Sequence, residues 1–128
     1  MMAKIAASIF IFTAVLAGCA KTPKPFPAGS ISPVETAGHL GETATVCGTV
    51  ASGMQFPKLE GEPTFMNIGK AFPNQDFTVL IWGKNAGLFD QPLTRLKGKD
   101  ICVTGLIVDG DSTPLIELVD VEQLVELN

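Results

Sequence analysis

Several residue types that mark common functional sites are scarce in this chain. Its 128 residues include no tyrosine, one histidine and three cysteines, and only 17% of them are charged. The single histidine, His39, has no cysteine near it in the sequence, so the three or four protein ligands of a zinc site are missing. No P-loop, no Gly-x-Ser-x-Gly and no His-Glu-x-x-His sequence occurs. The sequence therefore predicts no metal site, no cofactor and no enzymatic activity.

The chain also lacks an excess of positively charged residues. Nine basic and thirteen acidic residues give a formal net charge of -4, and the sequence pI is about 4.8. A general polyanion binder normally carries a basic stripe, so this balance argues against one. The mass of 13.5 kDa allows one folded domain. A hydrophobic content of 46% excludes a chain that is disordered by composition.

The chain has one long apolar run, residues 5–17, which follows Lys4 and ends in small residues. As a helix this run reaches only ~20 Å, short of the ~30 Å hydrocarbon core of a bilayer. A cation, a short apolar run and small residues in this order are typical of a signal peptide. We therefore predict a removable leader over residues 1–18.

The end of the leader resembles the lipobox of bacterial lipoproteins in its sequence Leu-Ala-Gly-Cys, residues 16–19. The resemblance implies that Cys19 becomes the lipidated first residue and anchors the protein to a membrane of the cell envelope. Ala20 rather than aspartate follows, which by the same resemblance permits transfer to an outer membrane, facing the periplasm. The alternative is an ordinary secretory leader beside an incidental cysteine. Residues 19–32 are predicted as a proline-rich tether, and residues 33–128 as the domain.

Two stretches of the domain, residues 41–50 and 98–107, share glycines at the same spacing and alternate apolar with polar residues. Val46 and Val103 then face the core, while Cys47 and Cys102 both fall on the opposite, outer face. If the two strands are antiparallel neighbours, the register that pairs the valines also pairs the cysteines. We predict a disulfide between them, as suits an oxidising compartment. Closing this loop contributes roughly 4 kcal/mol in the chain-entropy model.

The remaining pattern indicates an all-β domain. Ser32 begins a short helix, residues 63–68 and 76–82 form a hairpin, and residues 85–96 form one or two helical turns because Pro92 excludes a long helix. Residues 109–112 are a turn before a strand at residues 114–119. A short turn and an edge strand complete the chain.

Five strands with a short helical segment between the third and fourth are the pattern of the OB-fold, a Greek-key barrel. The hairpin, with the segments around residues 37–50 and 98–124, resembles a family of small bacterial OB-fold domains described as nucleic-acid-binding. The resemblance covers about residues 34–125. It implies a five-stranded barrel that binds single-stranded nucleic acid or another oligomer on the face of its second and third strands.

On that face and its loops, the candidate ligand-binding residues combine cations with aromatic or amide groups: Phe56, Lys58, Asn67, Lys70, Trp82 and Lys84. Four further residues of the hairpin are predicted as core: Phe65, Phe77, Val79 and Ile81. Trp82 lies on the alternate face to Phe77 and Ile81, where it either covers the barrel or forms a contact surface.

A second function stays open because of charge. From Asp109 onward the sequence has six acidic residues and no basic one. Phosphate affinity comes mainly from cations that release counterions, so this part of the domain should repel nucleic acid. The alternative hypothesis is an envelope lipoprotein that interacts with a protein partner or has a structural role.

Overall fold

The computed structural model describes residues 26–127. The predicted leader, the lipid site at Cys19 and most of the predicted tether lie outside these residues. Ile31, at the end of the predicted tether, forms a parallel bridge with Val46. The backbone N–H of Ile31 donates to the carbonyl of Thr45 at 2.9 Å. The described chain therefore begins with a segment that pairs with the first strand.

Seven strands form one sheet that is curled into a half-barrel, in the order β5-β6-β3-β2-β1-β4-β7. Their bounds are β1 Thr43–Gln55, β2 Thr64–Ile68, β3 Phe77–Ile81, β4 Asp100–Leu106, β5 Val108–Asp109, β6 Pro114–Glu117 and β7 Leu124–Glu126. All neighbouring strands are antiparallel except β3 and β6, which are parallel. The prediction of an all-β domain is confirmed.

The predicted number of five strands is wrong, and the backbone of Ile107 explains part of the difference. Its N–H donates to the carbonyl of Glu42, and its carbonyl accepts from the N–H of Gly41. The chain thus changes partner at Ile107, from β1 on the β4 side to β6 on the β5 side. One predicted strand becomes two. The predicted edge strand at the end of the chain is confirmed as β7, beside β4, and it is additional to the five strands of the OB pattern.

The helices are short and connect the strands. A 3-10 helix, Pro33–Gly38, begins after Ser32, whose backbone N–H and hydroxyl both donate to the Glu35 carboxylate. Between β3 and β4 lie a 3-10 helix, Gly83–Leu88, and the α-helix α1, Pro92–Leu96. These two short helices confirm the prediction of one or two helical turns in place of a long helix. A last 3-10 helix, Val121–Gln123, precedes β7.

The predicted register of the two glycine-marked strands is confirmed in full. Cys47 lies opposite Cys102, Val46 opposite Val103 and Ala44 opposite Gly105. The cysteine sulfurs are 2.04 Å apart, at disulfide distance. Although the two cysteines do not belong to the core inside the curled sheet, they are only 1% and 4% exposed. The disulfide therefore ties β1 to β4 at a site that solvent barely reaches.

Alternating residues of every long strand fill the interior of the curled sheet. Met66 faces Val79 across β2 and β3, and both are fully buried. The buried side chains are almost all aliphatic, with two aromatic rings among them, and they form a single cluster: Val46, Val50, Met66, Ile68, Phe77, Val79, Ile81, Phe89, Leu96, Ile101, Val103, Ile107, Ile116 and Leu118. The interior of the curled sheet is therefore filled with side chains.

Candidate ligand-binding groove

A groove of about 530 Å³ lies on the outer face of the sheet. Its floor comes from outward-facing residues of β2 and β3 and of their neighbours β1 and β6. Three loops border it: residues 56–63 after β1, residues 69–76 between β2 and β3, and residues 109–113, which start at the last residue of β5 and lead to β6. The lining residues are Ser52, Gly53, Met54, Phe56, Phe65, Asn67, Phe72, Gln75, Thr78, Gly110, Ser112, Thr113 and Leu115. No lining residue carries a charge. We call this site the outer-face groove.

Strand pairing places the floor residues side by side. Asn67 on β2 lies opposite Ser52 on β1 and opposite Thr78 on β3. Thr78 in turn lies opposite Leu115 on β6. Residues that are directly opposite on one face of a sheet have side chains in contact range. Four strands that are far apart in sequence therefore build one continuous surface.

The polar floor residues satisfy one another. The Asn67 amide nitrogen donates to the Ser52 hydroxyl oxygen at 3.0 Å, and the Thr78 hydroxyl donates to the Asn67 amide oxygen at 3.1 Å. The backbone N–H of Phe72 also donates to the Ser52 hydroxyl oxygen, at 3.1 Å. Asn67 is only 6% exposed. This network consequently holds the floor together and fixes the loop of residues 69–76 to β1, rather than offering its groups freely to a ligand.

Aromatic and aliphatic side chains form most of the remaining surface. The rings of Phe56 and Phe65 meet edge to face, with their centroids 5.8 Å apart. Phe72 at one border of the groove is 70% exposed, and Met54 is 55% exposed. Such exposed apolar groups beside a concave surface are typical of a ligand or partner site.

The prediction that Phe65 belongs to the core is wrong. Phe65 lies between the inward-facing Thr64 and Met66, so the alternation of the strand turns its ring outward into the groove. The other three hydrophobic residues named with it, Phe77, Val79 and Ile81, are buried in the core as expected. The inward positions of Met66 and Ile68 were the sequence signal that could have assigned Phe65 to the outer face.

Trp82 belongs to a different site. It lines a separate cavity of about 410 Å³ with Gly61, Glu62 and Lys84. A Cβ on Gly61 would lie 2.8 Å from two carbons of the indole ring, so the glycine packs directly against the ring. The N–H of Gly83 donates to the carbonyl of Gly61 at 2.8 Å. Trp82 thus fastens the tip of the loop of residues 56–63, and this contact covers part of the ring.

Of the six predicted ligand-binding residues, the structure brings only Phe56 and Asn67 together in the outer-face groove. Trp82 and Lys84 share the smaller cavity. Lys58 is exposed on the loop of residues 56–63. Lys70 is paired with Asp76 at 3.4 Å. The predicted combination of lysines with aromatic rings is therefore spread over several places.

Sequence reasoning missed most of the groove. The missed residues include Ser52, Met54, Phe72, Gln75 and Thr78. Strand parity could have found Thr78, because Phe77 and Val79 on either side of it face inward. Phe72 and Gln75 lie in a loop, where no periodicity indicates the direction of a side chain.

Within residues 26–127, no group of three or more His, Cys, Asp or Glu side chains is arranged to hold a metal ion. His39 instead contacts the Glu42 carboxylate at the surface. In the same part of the chain, no helix is long and apolar enough to cross a membrane.

Comparison with known proteins gives no relative. No protein family matches the chain, and neither a curated protein nor a solved structure matches it.

Proposed function

We propose that this protein is a non-catalytic binding module, held to the cell envelope by lipid on Cys19, that binds its partner in the outer-face groove. One observation carries the proposal, namely that a groove of about 530 Å³ with an apolar surface lies among three loops. Ligand sites in proteins are typically concave, mostly apolar and supplied with a few polar groups.

The proposed location in the envelope, on an outer membrane facing the periplasm where the cell has one, is supported by two independent features. The first is the lipobox-like sequence that ends at Cys19. The second is the pair of cysteines at disulfide distance between β1 and β4, because disulfides persist in oxidising compartments and are rare in the cytosol.

An OB-type arrangement of the curled sheet is the finer structural proposal. It is supported by the order of β1, β2 and β3 as antiparallel neighbours and by the parallel pairing of β3 with β6. The single residue between β4 and β5 supports it too, since the chain there links both sides of the sheet. In OB-folds the face of the second and third strands and the adjoining loops bind ligands, and the outer-face groove has the same position.

Two ligand classes follow from the sequence, nucleic acid and a protein partner, and charge favours the protein partner. Asp109 and Asp111 flank the lining residue Gly110, and Lys70, in the loop that holds Phe72, is already paired with Asp76. A polyanion gains affinity when protein cations replace its counterions. This border has few cations, so a polyanion gains little affinity from it. Nucleic acid remains the second candidate, on the side of Lys58, Lys70 and Lys84.

A photo-crosslinking experiment in living cells tests the proposal. The full chain is produced with a photoreactive phenylalanine analogue at Phe72, beside the groove, or at Val121, an exposed position outside it. We expect a crosslinked product at position 72 and none at position 121. Protease sensitivity of the attached partner identifies a protein, and nuclease sensitivity identifies nucleic acid. Equal products at both positions, or none at 72, would contradict binding in the groove.

A further inference from the structure

The surface of the groove and the charge of its border define the ligand more closely. We propose that the outer-face groove binds an apolar side chain of a basic peptide segment in a partner protein. This inference rests on the proposed binding function and names the partner chemistry of the same site.

The accessible surface of the groove is mainly apolar. Phe72 and Met54 are mostly exposed, and Phe56, Phe65 and Leu115 are partly exposed. In contrast, Asn67 and Thr78 are buried and already bonded to each other. A ligand that needs many hydrogen bonds gains little from this surface. An aromatic or aliphatic side chain gains by leaving water.

The border of the groove attracts positive charge. In the loop of residues 69–76, Lys70 and Asp76 neutralise each other at 3.4 Å. Residues 109–113 hold two acidic residues, Asp109 and Asp111, and no lysine or arginine. Asp109 and Asp111 form no ion pair within residues 26–127, and they flank the lining residue Gly110. Charge complementarity therefore selects a basic partner and repels a polyanion.

One polar atom of the groove residues lacks a partner. The Gln75 side-chain oxygen is buried and accepts no hydrogen bond in the described part of the chain, and Gln75 is a lining residue. A buried carbonyl oxygen needs a donor. A peptide supplies donors through its backbone N–H groups and its lysine or arginine side chains. The donors of a basic peptide therefore match this unpaired acceptor.

Fluorescence anisotropy with labelled peptides tests the inference. The protein is the chain without its predicted leader, residues 19–128, with Cys19→Ser, so that it has neither the apolar run nor the thiol for lipid. The probe is a short glycine-flanked peptide of lysines around two phenylalanines. Matched probes replace the phenylalanines by serine or the lysines by glutamate, and an oligothymidylate represents nucleic acid. We expect the lysine–phenylalanine peptide to bind at low salt at least about tenfold more tightly than each of the others.

Protein variants locate the binding. Phe72→Ala removes an exposed ring of the groove, and the double change Asp109→Asn with Asp111→Asn removes border charge. Asp111 has a positive φ of 72°, which asparagine also tolerates. We expect each to weaken binding about threefold to tenfold. Glu122→Gln removes an exposed acid outside the groove and should leave binding unchanged. Circular dichroism and the melting temperature confirm that each variant is folded.

Three results would overturn the inference: equal binding of the glutamate peptide, tighter binding of the oligothymidylate, or binding that the groove variants leave unchanged. The failure of the broader proposal looks different. If position 72 crosslinks to a partner in cells but the basic peptide shows no preference, only the partner chemistry is wrong. If neither occurs, the groove is not the binding site.

Discussion

At the scale of single residues, the contact between Trp82 and Gly61 shapes the binding site, although glycine has no functional group. The sequence allows two roles for Trp82, which either covers the sheet or forms a contact surface. Its ring packs against Gly61, whose φ of +79° lies in the left-handed region. This contact fastens the loop that carries Phe56 and Lys58. Trp82 is thus a positioning residue for one border of the outer-face groove.

We predict that Gly61→Ala displaces this loop. The new Cβ meets the indole ring at 2.8 Å and also suffers left-handed strain, which costs about 1–2 kcal/mol by itself. Crowding against the ring should add roughly 1–2 kcal/mol. The chain has one tryptophan and no tyrosine, so intrinsic fluorescence reports on Trp82 alone, and its emission should shift. Urea denaturation gives the change in free energy of unfolding.

Gly98→Ala is the matched control. Gly98 has a similar φ of +81°, but a Cβ there meets nothing within 4 Å. This variant should have a lower free energy of unfolding because of backbone strain, but it should keep the wild-type fluorescence emission. If both variants lose the same stability and both keep the wild-type emission, the contact between Gly61 and Trp82 does not hold the loop.

At the scale of elements, β1 connects the two sides of the sheet. Residues 43–49 of this strand pair with β4, whereas its second half pairs with β2 beyond an irregularity between Val50 and Ser52. The disulfide lies in the half that pairs with β4. Much of this arrangement could be predicted, because one register alone pairs inward residues with inward residues and cysteine with cysteine. The break at Ile107 could not, since it depends on backbone contacts with residues 41 and 42.

We predict that reduction of the disulfide lowers the free energy of unfolding by about 3–4 kcal/mol. The bond closes a loop with a sequence separation of 55 residues, and such a constraint acts mainly by limiting the unfolded chain. Denaturation with and without reductant measures the difference. In the double variant Cys47→Ala with Cys102→Ala, reductant should have no further effect. Equal stability of the oxidised and reduced wild-type protein would contradict the prediction.

At the scale of the whole molecule, the proposed anchor can be inferred from the sequence alone, whereas the groove cannot. The proposed anchor at Cys19 depends on a short local motif. The groove depends on the convergence of three loops on one face of the sheet. The proposed anchor would hold the groove near a membrane surface, and the proposed partner is expected there as well.

We predict that Cys19→Ser releases the protein from the membrane fraction. The thiol is the proposed site of acylation, and stable attachment needs two or more acyl chains. Fractionation followed by mass spectrometry should find the unchanged protein with a mass increase from lipid on Cys19 and the variant without one. A double variant of Cys47 and Cys102 to alanine should stay in the membrane fraction. An unmodified Cys19 in the unchanged protein would refute the anchor.

The sequence by itself determined most of the strands, the hairpin, the short helices and the register of the two cysteines, because alternation within a strand and pairing between two strands follow from local rules. It also indicated that the hairpin residues Phe77, Val79 and Ile81 lie in the core. Only the tertiary structure decided that Phe56, Phe72 and Thr113 border one groove. Loops have no period, and their meeting depends on how the whole sheet curls. For the same reason Phe65 could be misassigned, since hydrophobicity alone does not distinguish a core from a binding surface.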